Sequence, residues 1–427
     1  MKIKIKPVKK IAGDVTVPGD KSISHRALMI GAITMGSTKI KGLPDSDDCN
    51  YTAKAFRDMG INIIEKGDVT IVEGKGLRGL KKPGNPIYVG NSGTTMRILS
   101  GILAGQDFES TLTGDIGIST RPMRRVVEPL SMMGAKISAK DGEYPPLTIA
   151  GGKVRPIIYK NSIASAQIKS AILFAGLYSK GTTKVMEPVK SRDHTERMLK
   201  YFGAKIKIEG KCVSVSGGKE LRARAFEIPG DISSASFFMI AAILLKGSRI
   251  KIRNVSVNPT RAGILKTLSM MGADVKVVNK KANGPEPAAD IIVKYSRTRG
   301  ITITRDMVPS IIDELPVIFV LASLSKGVTK IEGLQELRVK ETDRIESMRH
   351  GLKAMGADFR VEGDSVVIDG IERLKGASLK SFGDHRTCMA LAIAALTAED
   401  DSDIKGAESV SKSFPSFFDL LFSLRCQ

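Results

Sequence analysis

The chain has 427 residues, of which 42% are apolar and 5% aromatic, and this length predicts two domains in place of one compact core. Its 66 lysines and arginines outnumber 45 acidic residues and give a net charge of +21, which suits nucleic acid, an acidic surface or small anions. The lack of tryptophan, the few aromatic residues and the scattered lysines argue against nucleic acid, so we expect small anionic ligands.

The first residues, MKIKIKPVKK, alternate lysine with isoleucine and lack the apolar core of a signal peptide. No apolar run approaches the roughly 18 residues that a membrane helix needs. We therefore predict a cytoplasmic protein with no membrane partner. The four cysteines lie far apart without a CxxC motif, so neither a disulfide framework nor a zinc site is expected from Cys49, Cys212, Cys388 and Cys426.

The next elements are a strand and a helix whose first turn is rich in hydrogen-bond donors. The strand-like run KIAGDVTV ends at Pro18-Gly19, and a helical pattern, KSISHRALMIGAI, begins at Lys21. Free N–H groups and the positive end of the helix dipole make a helix start a natural anion site. Lysine and arginine oppose that dipole, so capping alone does not explain Lys21 and Arg26 at this position. This helix start is therefore predicted to bind a ligand.

Similar helix starts recur along the chain. They are GNSGTTMRILSGILAG (90–105), STRPMRRVVEPLSMMG (119–134), SAQIKSAILFAGL (165–177), DELPVIFVLASL (313–324), KETDRIESMRHGLKAMG (340–356) and GDHRTCMALAIAAL (383–396). The second pattern predicts a helix that begins with Arg121 and has Pro122 in its first turn, and the fifth predicts one that begins with Lys340 and Glu341. Serine, threonine and aspartate are also good N-caps, so each start has a purely structural alternative.

A second repeated feature is a helix end, a glycine and a strand. It occurs in FRDMGINII, LSMMGAKIS, LKYFGAKIKI, LSMMGADVKV and LKAMGADFRV, whose glycines are 74, 69, 69 and 84 residues apart: Gly60, Gly134, Gly203, Gly272 and Gly356. Glycine suits this place because a helix commonly ends in a left-handed residue. A sixth helix is predicted in FPSFFDLLFSLRC, and MKIKIKP is a candidate for the strand that completes its repeat. The pattern therefore predicts six α/β repeats with the chain termini close in space.

Two PGD motifs suggest where the chain passes between domains. VPGD (17–20) and IPGD (228–231) each follow a strand-like run and precede a helical one. If these are the crossovers, the first domain is 20–229 and the second is 1–19 plus 230–427. A chance recurrence of PGD is the alternative to this partition.

The quoted motifs KSISHR, GNSGTTMRIL, SAQIKSAILFAGL, SRDHTERML, LRVKETDRI and GDHRTCMALAIAAL closely resemble, in order and from end to end, the signatures of the EPSP synthase family. The resemblance implies the enolpyruvyl transferase fold, an inside-out α/β barrel of two domains, each built from three repeated α/β units with helices packed inside. It implies transfer of the enolpyruvyl group of phosphoenolpyruvate to the 5-hydroxyl of shikimate 3-phosphate in chorismate and aromatic amino acid biosynthesis. It implies no metal or organic cofactor, and we expect a monomer.

Both substrates carry a phosphate and a carboxylate, which lysine and especially arginine bind well. By resemblance, phosphoenolpyruvate is bound by Lys21, Gly93, Arg121, Gln167, Arg344, Arg386 and Lys412. By the same resemblance, shikimate 3-phosphate is bound by Lys21, Ser22, Arg26, Ser165, Ala166, Gln167, Ser191, Asp313 and Lys340.

The reaction takes a proton from the 5-hydroxyl and moves one to and from the methylene carbon of phosphoenolpyruvate, which calls for carboxylates beside cations. Asp313 is the candidate base, and its apolar sequence setting, SIIDELPVIFV, is of the kind that raises the pKa of a carboxyl group. Glu341 is the candidate for the methylene proton. Lys21 is expected to assist the departing phosphate, with His385 in support. Taken without the motifs, an N-cap, a surface ion pair and a structural histidine are the alternatives for Asp313, Glu341 and His385.

Two other functions stay open. The sister enzyme, UDP-N-acetylglucosamine enolpyruvyl transferase, typically has a cysteine in a mobile loop before an Arg-Pro pair, whereas the corresponding stretch here, GDIGISTRP, has none. A basic nucleic-acid-binding scaffold would bind polyanions without turnover. Some members of the family carry a tyrosine near the place of His194, and the contact of that tyrosine with the substrate ring stays unassigned here. Gly93 lies where a larger residue excludes glyphosate in some members, so glyphosate is expected to compete with phosphoenolpyruvate.

Overall fold

The computed structural model describes residues 1–282 and 284–426, with the side chains of Arg425 and Cys426 outside the description. The chain divides into two compact units. The first unit comprises Gly19–Ile228 and Ala282–Glu286, and the second comprises Met1–Pro18, Pro229–Lys281 and Pro287–Gln427.

Short strands form most of the outer layer. The strands up to residue 228 are β1 (Lys2–Ile5), β2 (Lys10–Val15), β3 (Thr34–Lys41), β4 (Asn62–Lys66), β5 (Val69–Lys75), β6 (Ile87–Tyr88), β7 (Glu109–Thr113), β8 (Lys136–Lys140), β9 (Tyr144–Ala150), β10 (Ile158–Lys160), β11 (Thr182–Met186), β12 (Lys205–Glu209), β13 (Cys212–Ser216), β14 (Leu221–Arg222) and β15 (Ala225–Glu227). The later strands are β16 (Arg249–Ser256), β17 (Val275–Lys281), β18 (Ala288–Lys294), β19 (Thr302–Ile303), β20 (Val328–Ile331), β21 (Asp358–Glu362), β22 (Ser365–Asp369), β23 (Ser378–Lys380), β24 (Ser402–Lys405) and β25 (Arg425–Cys426).

Helices separate these strands along the chain. In the first unit they are α1 (Lys21–Ala32), α2 (Asp47–Asp58), α3 (Gly93–Leu103), α4 (Ile116–Ser119), α5 (Arg124–Met132), α6 (Ala166–Gly176) and α7 (His194–Tyr201). In the second unit they are α8 (Ile232–Leu244), α9 (Gly263–Met270), α10 (Val308–Ile311), α11 (Leu315–Ser323), α12 (Arg344–Ala354), α13 (His385–Leu396) and α14 (Phe417–Ser423), with 3-10 turns at Gln335–Leu337 and Ala407–Lys412. None of the helices in the described ranges is long and apolar enough to cross a bilayer.

Each unit contains three sheets within the described residues. The first unit has the orders β14-β3-β5-β4 (with β15 beside β3), β6-β7-β9-β8 and β10-β11-β13-β12. The second has β17-β18-β16-β2-β25, β19-β20-β22-β21 and β1-β24-β23. A parallel pair followed by an antiparallel hairpin recurs, as in β19 beside β20 and then β22 with β21. The predicted fold class, with three α/β repeats in each unit, is confirmed.

The most apolar helix of each repeat lies inside the unit. Helices α8, α11 and α13 are buried almost throughout, and α1, α3 and α6 are buried after their first turns. A helix that is apolar on all faces must be covered on all faces, so the sheets surround it. Close helix approach needs small residues: a Cβ at Gly101 of α3 would lie 2.1 Å from the Ala171 carbonyl oxygen of α6. Each unit has its own apolar core.

The second helix of a repeat is amphipathic and ends at the predicted glycine. Gly60, Gly134, Gly203, Gly272 and Gly356 all have positive φ, between 84° and 100°. The left-handed residue turns the chain from the helix into the next strand, as the repeated sequence predicts.

The predicted sixth helix exists as α14, and β1 of the N-terminal segment pairs antiparallel with β24 in the sheet of the sixth repeat. The N-terminal strand therefore completes that repeat, and the Met1 carbonyl accepts from the Gly406 N–H at 2.9 Å. The pairing of β25 with β2 was not predicted. Cys426 lies in β25, and its side chain lies outside the described residues.

Two predicted helix starts are wrong by about one turn. Arg121 and Pro122 precede α5, because the Arg121 N–H closes the preceding short helix on Ile118 O and Met123 N binds Glu143 O. Lys340 and Glu341 precede α12, which begins at Arg344. Asp343 is the N-cap there, and its side chain accepts from Ile345 and Glu346 N–H groups. The capping carboxylate therefore sets the start of α12.

Candidate active site

In the first unit, the start of α3 brings two guanidinium groups to a glycine. A Cβ at Gly93 would lie 3.1 Å from Arg121 Nη1 and 3.3 Å from Arg97 Nη1. Arg97 Nη1 donates to Gln167 Oε1 at 2.7 Å, and Gln167 Nε2 donates to Thr94 Oγ1 at 3.1 Å. The predicted residues Gly93, Arg121 and Gln167 are thus brought together. Two arginines beside a helix N-terminus form a strong anion site.

The start of α1 holds Lys21 in an ion pair. Lys21 Nζ lies 2.8 Å from Asp48 Oδ2 of α2, and the two side chains are only 14% and 10% exposed. Asp20 caps α1 by accepting from Ile23 N at 2.9 Å. The acidic side chain of Asp20 thus supplies the cap, and Asp48 orients the ammonium group of Lys21.

Arg26 lies five residues further along α1 and is almost fully buried. Its Nε donates to Thr195 Oγ1 at 2.6 Å, and its Nη2 donates to Ser170 Oγ at 2.9 Å. Its Nη1 donates to the carbonyl oxygen of Ser22 at 2.8 Å. Burial lowers the pKa of Arg26 to about 10, so the guanidinium stays charged at neutral pH. These contacts tie α1 to α6 and α7.

The loop that carries Ser191 is anchored by buried charges. The Ser191 hydroxyl donates to Glu187, and Glu187 Oε2 accepts from Lys169 Nζ at 2.8 Å. Lys169 also binds Glu196 Oε1 at 2.7 Å, and all three charged side chains are 1% exposed. Burial alone would lower the pKa of Lys169, but Glu196 and Glu187 outweigh it and raise the pKa. Burial raises the pKa of Glu196, and Lys169 opposes that rise.

The remaining predicted residues of the first unit have structural contacts. Ser165 is the N-cap of α6 and accepts from Ile168 N, and Ala166 begins the helix. Ser22 follows Lys21 in the first turn of α1. His194 is buried, and its Nδ1 lies 2.8 Å from Glu286 Oε1. The imidazole of His194 therefore contacts the side chain of Glu286, and we interpret this contact as structural.

In the second unit, one buried guanidinium holds three carboxylates. Arg344 is 2% exposed and its Nε, Nη1 and Nη2 lie 2.8, 3.2 and 2.5 Å from Asp384, Asp313 and Glu341. Burial would lower the pKa of Arg344, but Asp384, Glu341 and Asp313 raise it. The two predicted catalytic carboxylates thus share one arginine, which fixes their spacing.

Asp313 lies in a turn between α10 and α11. Val317 N binds Glu314 O at 3.1 Å in place of Asp313 O, and Pro316 has no N–H to offer. The Asp313 carbonyl oxygen is therefore available to Arg386 Nη1, which donates to it at 3.1 Å. Arg386 Nε also lies 3.6 Å from Asp313 Oδ1. The apolar sequence setting of Asp313 does not surround its carboxylate, because the apolar side chains of α11 pack into the core while Asp313 contacts two guanidinium groups.

Three further predicted residues lie on neighbouring segments of this unit. Lys340 is half-buried, and burial lowers its pKa to about 8, with Asp313 opposing and Arg344 adding to the shift. His385 is buried in the first turn of α13, behind the N-cap Asp384. Lys412 Nζ donates to Gly383 O at 2.7 Å, just before the same helix. The start of α13 is therefore contacted by Lys412 and, through its N-cap Asp384, by Arg344.

Sequence reasoning missed several residues of these clusters. Arg97 lies four residues after Gly93, so helical spacing places it on the same face, and this could have been noticed. The ion pairs of Lys169 could also have been predicted, because a lysine within a buried apolar helix needs an acidic partner. Asp48 and Asp384 gave no signal of their contacts, since their partners Lys21 and Arg344 are 27 and 40 residues away.

Comparisons with known proteins match nearly the whole chain to one family. Residues 5–421 match the family model described as EPSP synthase (3-phosphoshikimate 1-carboxyvinyltransferase). A 3-phosphoshikimate 1-carboxyvinyltransferase from Brevibacillus brevis is 48% identical over 423 residues, covering 99% of each chain. One from Petrotoga mobilis is 47% identical over 430 residues, covering 100% of each.

Solved structures of similar proteins point to the same family. EPSP synthase from Acinetobacter baumannii superposes with a TM-score of 0.89 at 43% identity, covering 99% of this chain and 98% of that one. The enolpyruvyl transferase NikO from Streptomyces tendae, at 16% identity, shares the fold with a TM-score of 0.80 over 99% of this chain and 96% of its own. Neither alternative function suggested by the sequence is supported by these matches. From end to end, the chain belongs to the EPSP synthase family.

Proposed function

We propose that this protein transfers the enolpyruvyl group of phosphoenolpyruvate to the 5-hydroxyl of shikimate 3-phosphate and releases phosphate. The observation that carries the proposal is the Arg344 cluster, in which Asp313 and Glu341 lie within 3.2 and 2.5 Å of one buried guanidinium. Carboxylates can carry protons, and the guanidinium groups beside them can hold the negative charge of both substrates. Both requirements of the reaction are met within one group of side chains.

Shikimate 3-phosphate is assigned to residues of several helix starts. Arg26 and the Ser191 loop offer a guanidinium and a hydroxyl that are already oriented by buried partners. Preorganised donors bind a phosphate at a lower entropic cost than mobile ones. The full set for this substrate is Lys21, Ser22, Arg26, Ser165, Ala166, Gln167, Ser191, Asp313 and Lys340.

Phosphoenolpyruvate is assigned to the arginine-rich starts of α3 and α13. The space in front of Gly93 is bordered by Arg121 and Arg97, and a bidentate arginine matches a carboxylate or phosphate. The full set is Lys21, Gly93, Arg121, Gln167, Arg344, Arg386 and Lys412. Arg97 joins this set by its contact with Gln167.

The reaction then needs four proton transfers. Asp313 takes the proton of the 5-hydroxyl of shikimate 3-phosphate. The hydroxyl oxygen at the same time bonds to the central carbon of phosphoenolpyruvate. Glu341 gives a proton to the methylene carbon, which becomes a methyl group, and removes one again as the double bond re-forms. The phosphate leaves with a proton supplied through Lys21, supported by His385. Arg344 keeps the two carboxylates at fixed positions throughout. Holding reacting groups in the correct geometry contributes much of the rate enhancement of such sites.

We further propose that the enzyme acts as a monomer in the cytoplasm, without a metal or organic cofactor, and that glyphosate competes with phosphoenolpyruvate. The absence of a side chain at Gly93 supports the last point, since a Cβ there would crowd two guanidinium groups.

The test is phosphate release from phosphoenolpyruvate with shikimate 3-phosphate, without it, and with UDP-N-acetylglucosamine as the alternative acceptor. Release that requires shikimate 3-phosphate, and that is abolished in Lys21→Met and Asp313→Ala, is the expected result. Turnover with the nucleotide sugar alone would refute the proposed acceptor. Salt-sensitive binding of polyanions with no release would refute the enzymatic function.

A further inference from the structure

A second cluster of buried charges lies in the second unit and includes Glu314, the residue that follows Asp313 in the chain. Arg261 Nη1 lies 2.8 Å from Glu314 Oε1, and Arg261 Nη2 lies 3.5 Å from Asp231 Oδ1. The Ser233 hydroxyl donates to Glu314 and accepts from Arg261. Arg261 and Glu314 are 2% and 0% exposed. We call these four residues the Arg261 cluster.

The Arg261 cluster joins three segments. Asp231 caps α8 and Ser233 lies in its first turn. Arg261 lies in a turn closed by Asn258, whose carbonyl oxygen accepts from Arg261 N at 2.8 Å. Glu314 lies in the turn between α10 and α11. The arginine therefore links the start of α8 to this turn.

The Arg261 turn also packs directly against α10. A Cβ at Gly263, two residues after Arg261, would lie 2.1 Å from Ser310 Oγ and 2.8 Å from Ile311 Cγ2. The stretch from Ser310 to Glu314 is thus fixed at both ends by the same segment, by close packing at one end and by an ion pair at the other.

Stability alone does not account for an ion pair at this place. The desolvation of two buried charges offsets much of their attraction, and well-packed apolar residues often do as well. None of the four side chains is used by the proposed reaction. What the pair provides is a defined geometry for the turn, because each nitrogen of a planar guanidinium dictates the position of its acceptor.

The geometry of this turn decides where Asp313 points. Consecutive Cα atoms are about 3.8 Å apart, so a rotation of the turn at Glu314 moves Asp313 with it. Asp313 is held on its other side by Arg386 at its carbonyl oxygen and by Arg344 at its carboxylate. We propose that Glu314 and Arg261 are positioning residues, which set the orientation of the Asp313 carboxylate toward its substrate. This role rests on the proposed function of Asp313.

The test is a double-mutant cycle read out by calorimetric affinity for shikimate 3-phosphate, which does not depend on turnover. Glu314→Gln keeps the shape of the side chain and removes its charge. We expect it to weaken binding about tenfold when Asp313 is present, because small displacements of an oriented group are costly. In the Asp313→Ala background it has no further effect, since the group that it positions is gone. Equal losses in both backgrounds would overturn the proposal, because they would show that Glu314 acts independently of Asp313.

A matched control and a second variant separate positioning from folding. Asp290→Asn removes another structural carboxylate of the second unit, which accepts from Asn254 N at 3.0 Å and pairs with Lys251. It is expected to lower the melting temperature and leave the affinity unchanged. If Glu314→Gln does not fold, Arg261→Met with Glu314→Leu replaces the pair by apolar residues and is expected to fold with the same tenfold loss.

The failures are distinguishable. Wild-type protein that does not bind shikimate 3-phosphate would refute the proposed function, and this role with it. Wild-type binding that is weakened by Asp313→Ala but not by Glu314→Gln or the apolar pair would refute the positioning role alone.

Discussion

Lys340 offers a pH-dependence that can be worked out from the structure. Burial lowers the pKa of this lysine from 10.5 to about 8 in the ligand-free protein. If its charged form binds shikimate 3-phosphate, kcat/KM for that substrate follows the protonated fraction, because kcat/KM reports the free enzyme. That fraction is roughly nine-tenths at pH 7 and roughly one-tenth at pH 9 for a pKa of about 8. We therefore expect kcat/KM to fall about tenfold between these pH values.

The assay is phosphate release from pH 6 to pH 10 with both shikimate 3-phosphate and phosphoenolpyruvate well below saturation, so that the rate reports the ligand-free enzyme. Lys340→Arg is the matched variant, because arginine keeps its charge across this range. Its profile should stay level through pH 9, whatever its absolute rate. A descending limb near pH 8 in both proteins would refute the reasoning, since another group would then be responsible.

The shifted pKa of Lys340 does not itself favour unfolding at high pH. Between pH 8 and 10.5 the unfolded chain, with its ordinary lysine, binds more protons than the folded one. The contribution of Lys340 to the free energy of unfolding therefore rises with pH across this window. Thermal melts at pH 7 and pH 9 check that the fold is retained where binding is lost.

Three more changes test the clusters individually. Gly93→Ala places a methyl group 3.1 Å from Arg121 Nη1, so it should raise KM for phosphoenolpyruvate and weaken glyphosate inhibition several-fold while KM for shikimate 3-phosphate stays unchanged. Lys169→Met leaves two buried carboxylates without their cation and should lower the free energy of unfolding, measured in urea, by about 3–5 kcal/mol. A loss below about 1 kcal/mol would contradict the buried ion cluster. Arg344→Lys keeps the charge but cannot hold three carboxylates in one plane, so kcat should fall about 100-fold or more, and near-normal kcat would contradict the assigned role.

Local sequence patterns predicted the elements well where backbone chemistry decides them. The five signature glycines have positive φ as expected, because only the helix end and the following strand are involved. The start of α12 was placed too early, since Lys340 and Glu341 carry the ligand-binding signal while Asp343 is the residue that caps the helix. Functional and capping signals overlap in such segments, and the cap prevails in setting the boundary.

Side-chain partners were less predictable than elements. The contact of Arg344 with Asp313 spans 31 residues, and that of Arg26 with Thr195 spans 169, so no local pattern contains them. The apolar residues around Asp313 in the sequence suggested a raised pKa for its carboxyl group. In the structure the apolar side chains of α11 lie in the core, and Arg386 contacts the Asp313 carboxylate in the turn before that helix. The direction of a side chain at a helix boundary depends on tertiary packing, which a single sequence does not specify.

The charges proposed for substrate binding and catalysis in the second unit, together with the N-cap Asp384, are nearly balanced before any substrate binds. Four cations accompany three acids, namely Lys340, Arg344, Arg386 and Lys412 with Asp313, Glu341 and Asp384. Four unpaired cations would repel one another, since two like charges 4 Å apart cost about 4 kcal/mol at an effective dielectric constant of 20. The acids remove that repulsion, so the arginines can be buried and fixed before the substrates arrive. A substrate with several negative charges then upsets the balance, and the least costly adjustment is a proton on a carboxyl group. In the proposed mechanism, addition to phosphoenolpyruvate requires a protonated acid beside its methylene carbon, and the negative charge that the substrate brings favours that form of the proposed donor, Glu341.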